Sequence, residues 1–239
     1  MTFNKGHLEV TDIHKIYYEE FGNPNGIPIL FLHGGPGAGF SSFHRKLFNI
    51  KTHRVIFFDQ RGSGKSIPYA ETNFNSTQLL ISDIENLRNS LKVDKWYLFG
   101  GSWGSTLALL YGIEFPKRCI GFILRGIFLG TKIEINWFLY DIKKFFPEAY
   151  DKFISSVPQN KRNDILEWFY NQLHSNNRSQ SLKAASVWAE SSSGTAQASQ
   201  SPRSAAWPSG RETFRTCAWP PSLRDVSPSV SRLERLPPT

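Results

Sequence analysis

Short apolar runs bounded by glycine, proline or asparagine recur along the first half of the chain. These runs cover residues 16–21, 29–32, 55–58, 96–99 and 119–124. Runs of four to eight residues that are rich in β-branched and aromatic side chains are typical of buried strands. The pattern therefore predicts five strands within the first 124 residues.

Between these runs the apolar positions follow the period of a helix. In residues 76–91 they recur every three or four places, at Leu80, Ile84, Leu87 and Leu91. Asn75 or Ser76 is a suitable N-cap for this helix. A second apolar helix begins near Thr106. Because strands and helices alternate, we predict an α/β fold with a mostly parallel sheet and right-handed crossovers.

Beyond residue 128 the chain is helical and aromatic in pattern, with a predicted helix at 163–173. The composition then changes abruptly. Residues 191–239 contain 11 Ser and 7 Pro and have no Lys, Ile, Asn or Tyr. We expect this tail to lack order, because it has little apolar surface to bury against its chain entropy. A frameshift or fusion near residue 190 explains the change, and a natural low-complexity extension is the alternative.

Composition limits the possible classes of protein. The chain has 239 residues, of which 40% are apolar, and no apolar run approaches the roughly 20 residues of a membrane span. Its N-terminus has no apolar signal core, which predicts a cytoplasmic protein with no membrane association. Two cysteines, Cys119 and Cys217, provide neither a disulfide framework nor metal-ligand spacing.

The net charge of +8 raises the question of nucleic-acid binding. Lysine and arginine are scattered along the chain, however, and no basic helix face with interleaved aromatic residues is present. We therefore expect no nucleic-acid partner. The sequence leaves the oligomeric state open.

The candidate chemistry centres on residues 100–104, which have the sequence GGSWG and join a predicted strand to a predicted helix. A G-x-S-x-G turn in this position is a nucleophile elbow. The turn is so tight that Gly100 and Gly104 must lack side chains, while Ser102 is held in a strained conformation that exposes its hydroxyl group. The N-terminal N–H groups of the following helix would face a developing oxyanion.

Two glycine-rich loops follow other predicted strands, namely residues 33–37 (HGGPG) and 59–66 (DQRGSGKS). The first is not a dinucleotide-binding fingerprint, because Phe40 stands where the third glycine is needed and Pro36 lacks an N–H group. The second is not a phosphate-binding loop, because Asp59 replaces its first glycine and would repel phosphate. The loop at 33–37 and Ser102 can meet at the carboxyl edge of the sheet.

Taken together, the HGGPG, DQRGSG and GGSWGS motifs resemble those of the proline iminopeptidases, which are serine peptidases of the α/β-hydrolase fold. Residues 124–128 (LRGIF) are similar to that family as well. The order and spacing of all four motifs agree, and the resemblance runs from about residue 15 to residue 190. It implies a hydrolase core at 1–128, a partial helical cap at 129–190 and the unrelated tail at 191–239.

The resemblance implies an enzyme that releases N-terminal proline from peptides without a metal or cofactor. Ser102 would be the nucleophile, and the backbone N–H groups of Gly35 and Trp103 would form the oxyanion hole. The proline pocket would be lined by three aromatic residues, Phe128, Trp137 and Phe138. Aromatic residues at such positions are also typical of an ordinary core.

The remaining members of a catalytic triad cannot be assigned. In this fold an Asp or Glu and then a His follow the nucleophile, on strands that come after the cap. No histidine follows His174, which ends a predicted cap helix, and no strand pattern precedes Asp225. We therefore expect a sheet without its C-terminal strands and little or no turnover. A general esterase or amidase and a non-catalytic fragment are the alternatives.

Overall fold

A computed structural model describes the backbone of residues 1–197 and the side chains of residues 1–189. The described chain forms two compact units, with the boundary between Gly130 and Thr131. Most of the predicted disordered tail, residues 198–239, lies outside the described residues.

The first unit is built on one sheet, which has six strands within the described part of the chain and the order β1-β2-β4-β3-β5-β6. The strands are β1 (Thr2–Glu9), β2 (Lys15–Gly22), β3 (Ile27–Leu32), β4 (His53–Phe58), β5 (Trp96–Gly101) and β6 (Cys119–Arg125). The pairs β4–β3, β3–β5 and β5–β6 are parallel. The pairs β1–β2 and β2–β4 are antiparallel. The predicted mostly parallel α/β sheet is confirmed.

Strand β1 was not predicted, because its sequence TFNKGHLE is largely polar. It lies at the edge of the sheet and pairs in antiparallel fashion with β2, with Leu8 opposite Ile16. An edge strand buries little of its surface, so its formation depends on backbone pairing and leaves little apolar pattern in the sequence.

Two helices cover one face of this sheet, α1 (Thr77–Ser90) and α2 (Trp103–Glu114). Ser76 caps α1, because its hydroxyl group accepts a hydrogen bond from the Leu79 N–H at 3.4 Å. The predicted apolar positions of this helix form a stripe that is buried in the main core, together with Leu107 of α2 and Trp96 of β5. The stripe consists of Leu80, Ile84, Leu87 and Leu91. Burial of this stripe fixes α1 against the strands that carry the candidate loops.

The other face carries a smaller core, in which Phe31 of β3 and Phe57 of β4 are buried. Phe48 packs against it just after a 3₁₀ helix at Ser42–Leu47, and its ring centroid lies 5.3 Å from that of Phe99. Offset and edge-on aromatic contacts of this kind stabilise a core more than the burial of their apolar area alone would.

Strand β6 differs from its prediction as a fully buried strand. Its residues Ile120, Phe122 and Ile123 are 43–46% exposed. Within residues 1–197, β6 pairs only with β5 and lies at an edge of the sheet. A strand is buried on both faces only where helices or another layer pack against both, and within residues 1–197 that cover is incomplete at β6.

The second unit is helical. Its helices are α3 (Lys132–Asn136), α4 (Pro147–Ser155), α5 (Ile165–Leu173) and α6 (Arg178–Gln197), with a π-helical turn at Trp137–Asp141. Its core contains Phe153, Phe169 and Trp188, with ring centroids 5.0–6.2 Å apart. Helix α6 continues through residues 191–197, where we had expected no regular structure. No helix in residues 1–197 is both long and apolar enough to cross a membrane.

Candidate active site

The turn between β5 and α2 places Ser102 in an exposed and strained position. Its φ of 54° and ψ of −124° lie in a region that residues other than glycine rarely adopt. The Ser102 N–H donates to the Arg125 carbonyl oxygen at 3.0 Å, and its own carbonyl accepts from the Ser105 hydroxyl group at 2.6 Å. These bonds hold the strained turn from both sides, as the predicted elbow requires.

The glycines on either side of the turn have no room for a side chain. A Cβ atom on Gly100 would lie 2.3 Å from the Gly104 carbonyl oxygen, and a Cβ atom on Gly104 would lie 2.1 Å from the Leu32 carbonyl oxygen. Both neighbours are backbone atoms that cannot move aside. The predicted need for glycine at both positions is therefore confirmed.

The loop at residues 33–37 lies directly beside this turn. A Cβ atom on Gly34 would lie 2.9 Å from the Gly101 carbonyl oxygen and 3.4 Å from the Cβ atom of Ser102. Gly35 has a φ of 115°, and a Cβ atom there would meet the Ala38 nitrogen at 2.8 Å. The fold thus brings Gly35, Ser102 and Trp103 to the same edge of the sheet.

His33 begins this loop and is buried in a network of hydrogen bonds. Its Nε2 atom accepts from the Gln60 N–H at 3.0 Å, so its Nδ1 atom carries the proton and donates to the Gly34 carbonyl oxygen at 2.9 Å. Burial lowers the pKa of His33 to about 4. A neutral imidazole with both nitrogens engaged supports the loop and is not available as a base for Ser102.

The second glycine-rich loop is organised by the buried carboxylate of Asp59. This carboxylate accepts hydrogen bonds from the N–H groups of Phe40 and Lys65, each at 2.8 Å. A Cβ atom on Gly64 would lie 2.2 Å from one of its oxygens. Burial raises the pKa of Asp59 to about 6. Asp59 therefore joins the segment that follows the first loop to the second loop.

The three predicted pocket residues lie in different parts of the fold. Phe128 lies beside the first turn of α2, since its N–H donates to the Ser105 hydroxyl group at 3.2 Å and its carbonyl accepts from Thr106. Trp137 and Phe138 belong to the second unit. Trp137 is exposed, whereas the Phe138 ring lies 6.1 Å from the ring of Trp188.

His174 ends α5 in the second unit and is exposed. Its Nδ1 atom lies 2.8 Å from the Tyr170 carbonyl oxygen, and the two rings stack with centroids 4.2 Å apart. Both contacts join residues one helical turn apart, so local structure alone accounts for the position of His174. In residues 1–197 no cluster of three or more His, Cys, Asp or Glu side chains could hold a metal ion.

The fold and these motifs can be compared with known proteins. The sequence profile of the α/β-hydrolase fold family matches residues 27–228, which is most of the chain. The chain belongs to the α/β-hydrolase family. The elbow, the glycine-rich loop beside it and the strand order are thus parts of one known architecture.

Curated relatives support the resemblance to proline iminopeptidases. The chain is 44% identical over 190 residues to the proline iminopeptidase of Neisseria meningitidis, a match that covers 79% of this chain and 61% of that protein. It is 42% identical over 188 residues to the proline iminopeptidase of Arabidopsis thaliana, with 78% and 50% covered. The resemblance seen in the motifs is confirmed. The chain spans between half and about three fifths of the length of these relatives.

Solved structures agree with the fold. The proline iminopeptidase of Mycobacterium smegmatis superposes with a TM-score of 0.53 at 17% identity, covering 80% of this chain and 68% of that one. A proline iminopeptidase-related protein of Thermus thermophilus gives a TM-score of 0.51 at 24% identity, with 81% and 66% covered. At these identities the likeness establishes the α/β-hydrolase fold alone.

Proposed function

We propose that this chain is a serine aminopeptidase of the proline iminopeptidase type, which acts on peptides with an N-terminal proline. The observation that carries the proposal is the exposed and strained Ser102 beside the glycine-rich loop at 33–37. The identity of 42–48% to proteins named proline iminopeptidase supports the choice of substrate.

In this proposal the Ser102 hydroxyl group attacks the carbonyl carbon of the proline residue. The electron pair of the carbonyl moves to its oxygen, which the backbone N–H groups of Gly35 and Trp103 stabilise. The hydroxyl proton passes to water. Collapse of the tetrahedral intermediate breaks the C–N bond and expels the amine of the next residue, which takes up a proton from water, and a prolyl ester is left on Ser102. Water then hydrolyses this ester to free proline and restores the Ser102 hydroxyl group. The exposure of Ser102 supports these roles, and so does the closeness of Gly34, where an added Cβ atom would lie 3.4 Å from the Cβ atom of Ser102.

Phe128 is the member of the proposed proline pocket that the geometry supports most directly. Its backbone is tied to Ser105 and Thr106, which begin the helix that follows the nucleophile. Trp137 and Phe138 are proposed for the same pocket on the strength of the motif resemblance. The CH₂ groups of a proline ring are apolar and suit aromatic walls, which can pack on either side of the ring.

Turnover by the chain as written is proposed to be very slow. A serine hydroxyl group needs a general base, and removal of triad members from serine proteases costs roughly four to six orders of magnitude in rate. The histidines of the first unit include the buried His33, whose two nitrogens are already bonded. No cofactor or metal enters the proposed reaction.

Two other functions remain alternatives. A general α/β-hydrolase acting on esters or amides would share the elbow and the loop, because neither selects the acyl group. A non-catalytic chain that binds peptides would keep the fold without turnover. The substrate pair in the following experiment separates these cases.

The experiment compares proline p-nitroanilide with p-nitrophenyl acetate, using the full chain and its Ser102→Ala variant. We expect slow release of nitroaniline, well below the usual range of about 1 to 1,000 per second, that exceeds the rate of the variant. Faster, Ser102-dependent hydrolysis of the ester without a preference for proline would favour the esterase. Equal rates for the chain and the variant on both substrates would favour the non-catalytic alternative.

A further inference from the structure

The side chain of Gln60 connects the two segments that carry the proposed oxyanion-hole donors. Its Nε2 atom donates to the His33 carbonyl oxygen at 2.9 Å, and its Oε1 atom accepts from the indole Nε1–H of Trp103 at 3.0 Å. Its backbone N–H donates to the His33 imidazole at 3.0 Å. Gln60 itself lies two residues after the end of β4, on neither segment.

The orientation of this amide is determined by its partners. A carbonyl oxygen can only accept and an indole N–H can only donate, so the NH₂ end must face His33 and the oxygen end must face Trp103. Gln60 is 2% exposed, and His33 and Trp103 are equally buried. Water therefore does not compete for these bonds, and loss of either would leave a buried polar group unpaired.

We propose that Gln60 is a positioning residue that sets the distance between the backbone N–H groups of Gly35 and Trp103. The inference rests on the proposed function, in which these two groups stabilise the oxyanion. The donors lie on different elements, the loop after β3 and the first residue of α2, so a link through a third element controls their spacing. His33 is two residues before Gly35, and the bonded indole belongs to Trp103 itself.

The spacing matters because oxyanion-hole donors act only when they are held in place before charge develops. Useful donors lie about 2.7–3.1 Å from the position of the oxyanion. Loss of one donor costs about 100-fold to 1,000-fold in rate, so a displaced donor should cost about tenfold. The effect falls on the chemical step, because a ground-state carbonyl gains much less from these groups.

The test measures phosphonylation of Ser102 by a diphenyl phosphonate analogue of proline. In this reaction Ser102 Oγ forms a bond to phosphorus, phenoxide leaves with its electron pair, and the hydroxyl proton passes to solvent. The phosphoryl oxygen occupies the oxyanion position. Dependence on reagent concentration separates the reversible binding constant from the rate constant of the chemical step.

Three variants and one control are compared. Gln60→Met removes both side-chain hydrogen bonds at similar volume, and Trp103→Phe removes the indole N–H but keeps the backbone donor. The third variant combines the two substitutions. Gln78→Met, on the exposed side of α1, is the matched control.

We expect Gln60→Met to lower the rate constant of the chemical step about tenfold and to change the binding constant less than twofold. The double variant should be no slower than Gln60→Met, because both substitutions break the same link. An unchanged chemical step, additive losses in the double variant, or a loss confined to the binding constant would overturn the inference.

A second measurement tests the role of Gln60 even if the proposed function is wrong. If the unaltered chain is not labelled at Ser102, the proposed function fails, and backbone amide NMR then decides the role of Gln60. We expect Gln60→Met to shift the amide resonances of both Gly35 and Trp103, while Gln78→Met shifts neither. An unmoved Gly35 resonance in Gln60→Met would overturn the inference.

Discussion

The backbone N–H of Ser102 donates to the carbonyl oxygen of Arg125 across 3.0 Å, and this bond ties the strained turn to the end of β6. The other side of the turn is fixed by the close approach of Gly104 to Leu32 at the end of β3. The conformation of Ser102 is therefore held by the two neighbouring strand ends, both in the first unit. It does not depend on a catalytic base.

The approach of Gly104 to β3 gives a prediction for stability. A Cβ atom at position 104 would lie 2.1 Å from the Leu32 carbonyl oxygen, so Gly104→Ala must push α2 away from the sheet. We expect a loss of at least about 3 kcal/mol in the free energy of unfolding, measured by urea denaturation. The control is Gly6→Ala, whose nearest contact would be the Tyr18 hydroxyl group at 3.4 Å. Equal losses for the two variants would contradict the packing described.

The buried ion pair of Arg61 and Asp83 gives a second prediction. Two hydrogen bonds of 2.6 Å join the side chains, which are almost fully buried. Asp83→Asn leaves the guanidinium without its counter-charge, and we expect a loss of about 3–5 kcal/mol. The exposed pair of Arg118 and Asp94 is the control, and Asp94→Asn should cost less than about 1 kcal/mol. Similar losses from both substitutions in urea denaturation would show that the Arg61 site is open to water.

Two buried groups, His33 and Asp59, contribute opposite effects to the response of stability to acid. Burial lowers the pKa of His33 from 6.5 to about 4, so the unfolded chain takes up this proton first and stability falls as the pH drops through that window. Burial raises the pKa of Asp59 from 3.8 to about 6, so the folded chain takes up this proton first and stability rises as the pH drops from 6 towards 3.8. Each effect reaches about 2–3 kcal/mol, and the two largely cancel.

Removal of Asp59 should expose the effect of His33. Between pH 7 and pH 4.5 we expect Asp59→Asn to lose about 2 kcal/mol more of its unfolding free energy than the unaltered chain. The unfolding free energy of each protein is measured by urea denaturation at several pH values in this range. Only its change with pH is compared, so a loss of stability that the substitution causes equally at every pH does not affect the result. Parallel pH curves for the two proteins would mean that Asp59 ionises normally in the folded state.

The sequence predicted the parts of the fold that leave a strong local pattern. Central strands such as β3 and β4 are continuous apolar runs, because helices or aromatic residues cover both faces. The apolar stripe on α1 follows from the period of a helix. The glycines at 100 and 104 follow from the lack of space for a side chain in the turn, which is an equally local rule. Edge strands leave a weaker apolar pattern in the sequence, which is why β1 was not predicted and the burial of β6 was overestimated.

The contacts around the candidate site were harder to predict. Gln60 is 27 residues from His33 and 43 residues from Trp103 along the chain, and its hydrogen bonds exist only after the sheet has formed. A glutamine carries no periodic or charge pattern that would single it out. Two local features could have drawn attention to Gln60: it is the second residue of the DQRGSG motif, and it comes soon after a buried strand ends.

The proposed reaction depends first on Ser102 being the acyl-transfer nucleophile of this chain. The most direct test treats the full chain and its Ser102→Ala variant with the proline phosphonate and maps the adduct by mass spectrometry. We expect slow labelling at Ser102 alone and none in the variant. Recovery of the label on another serine, or equal labelling of the variant, would contradict it.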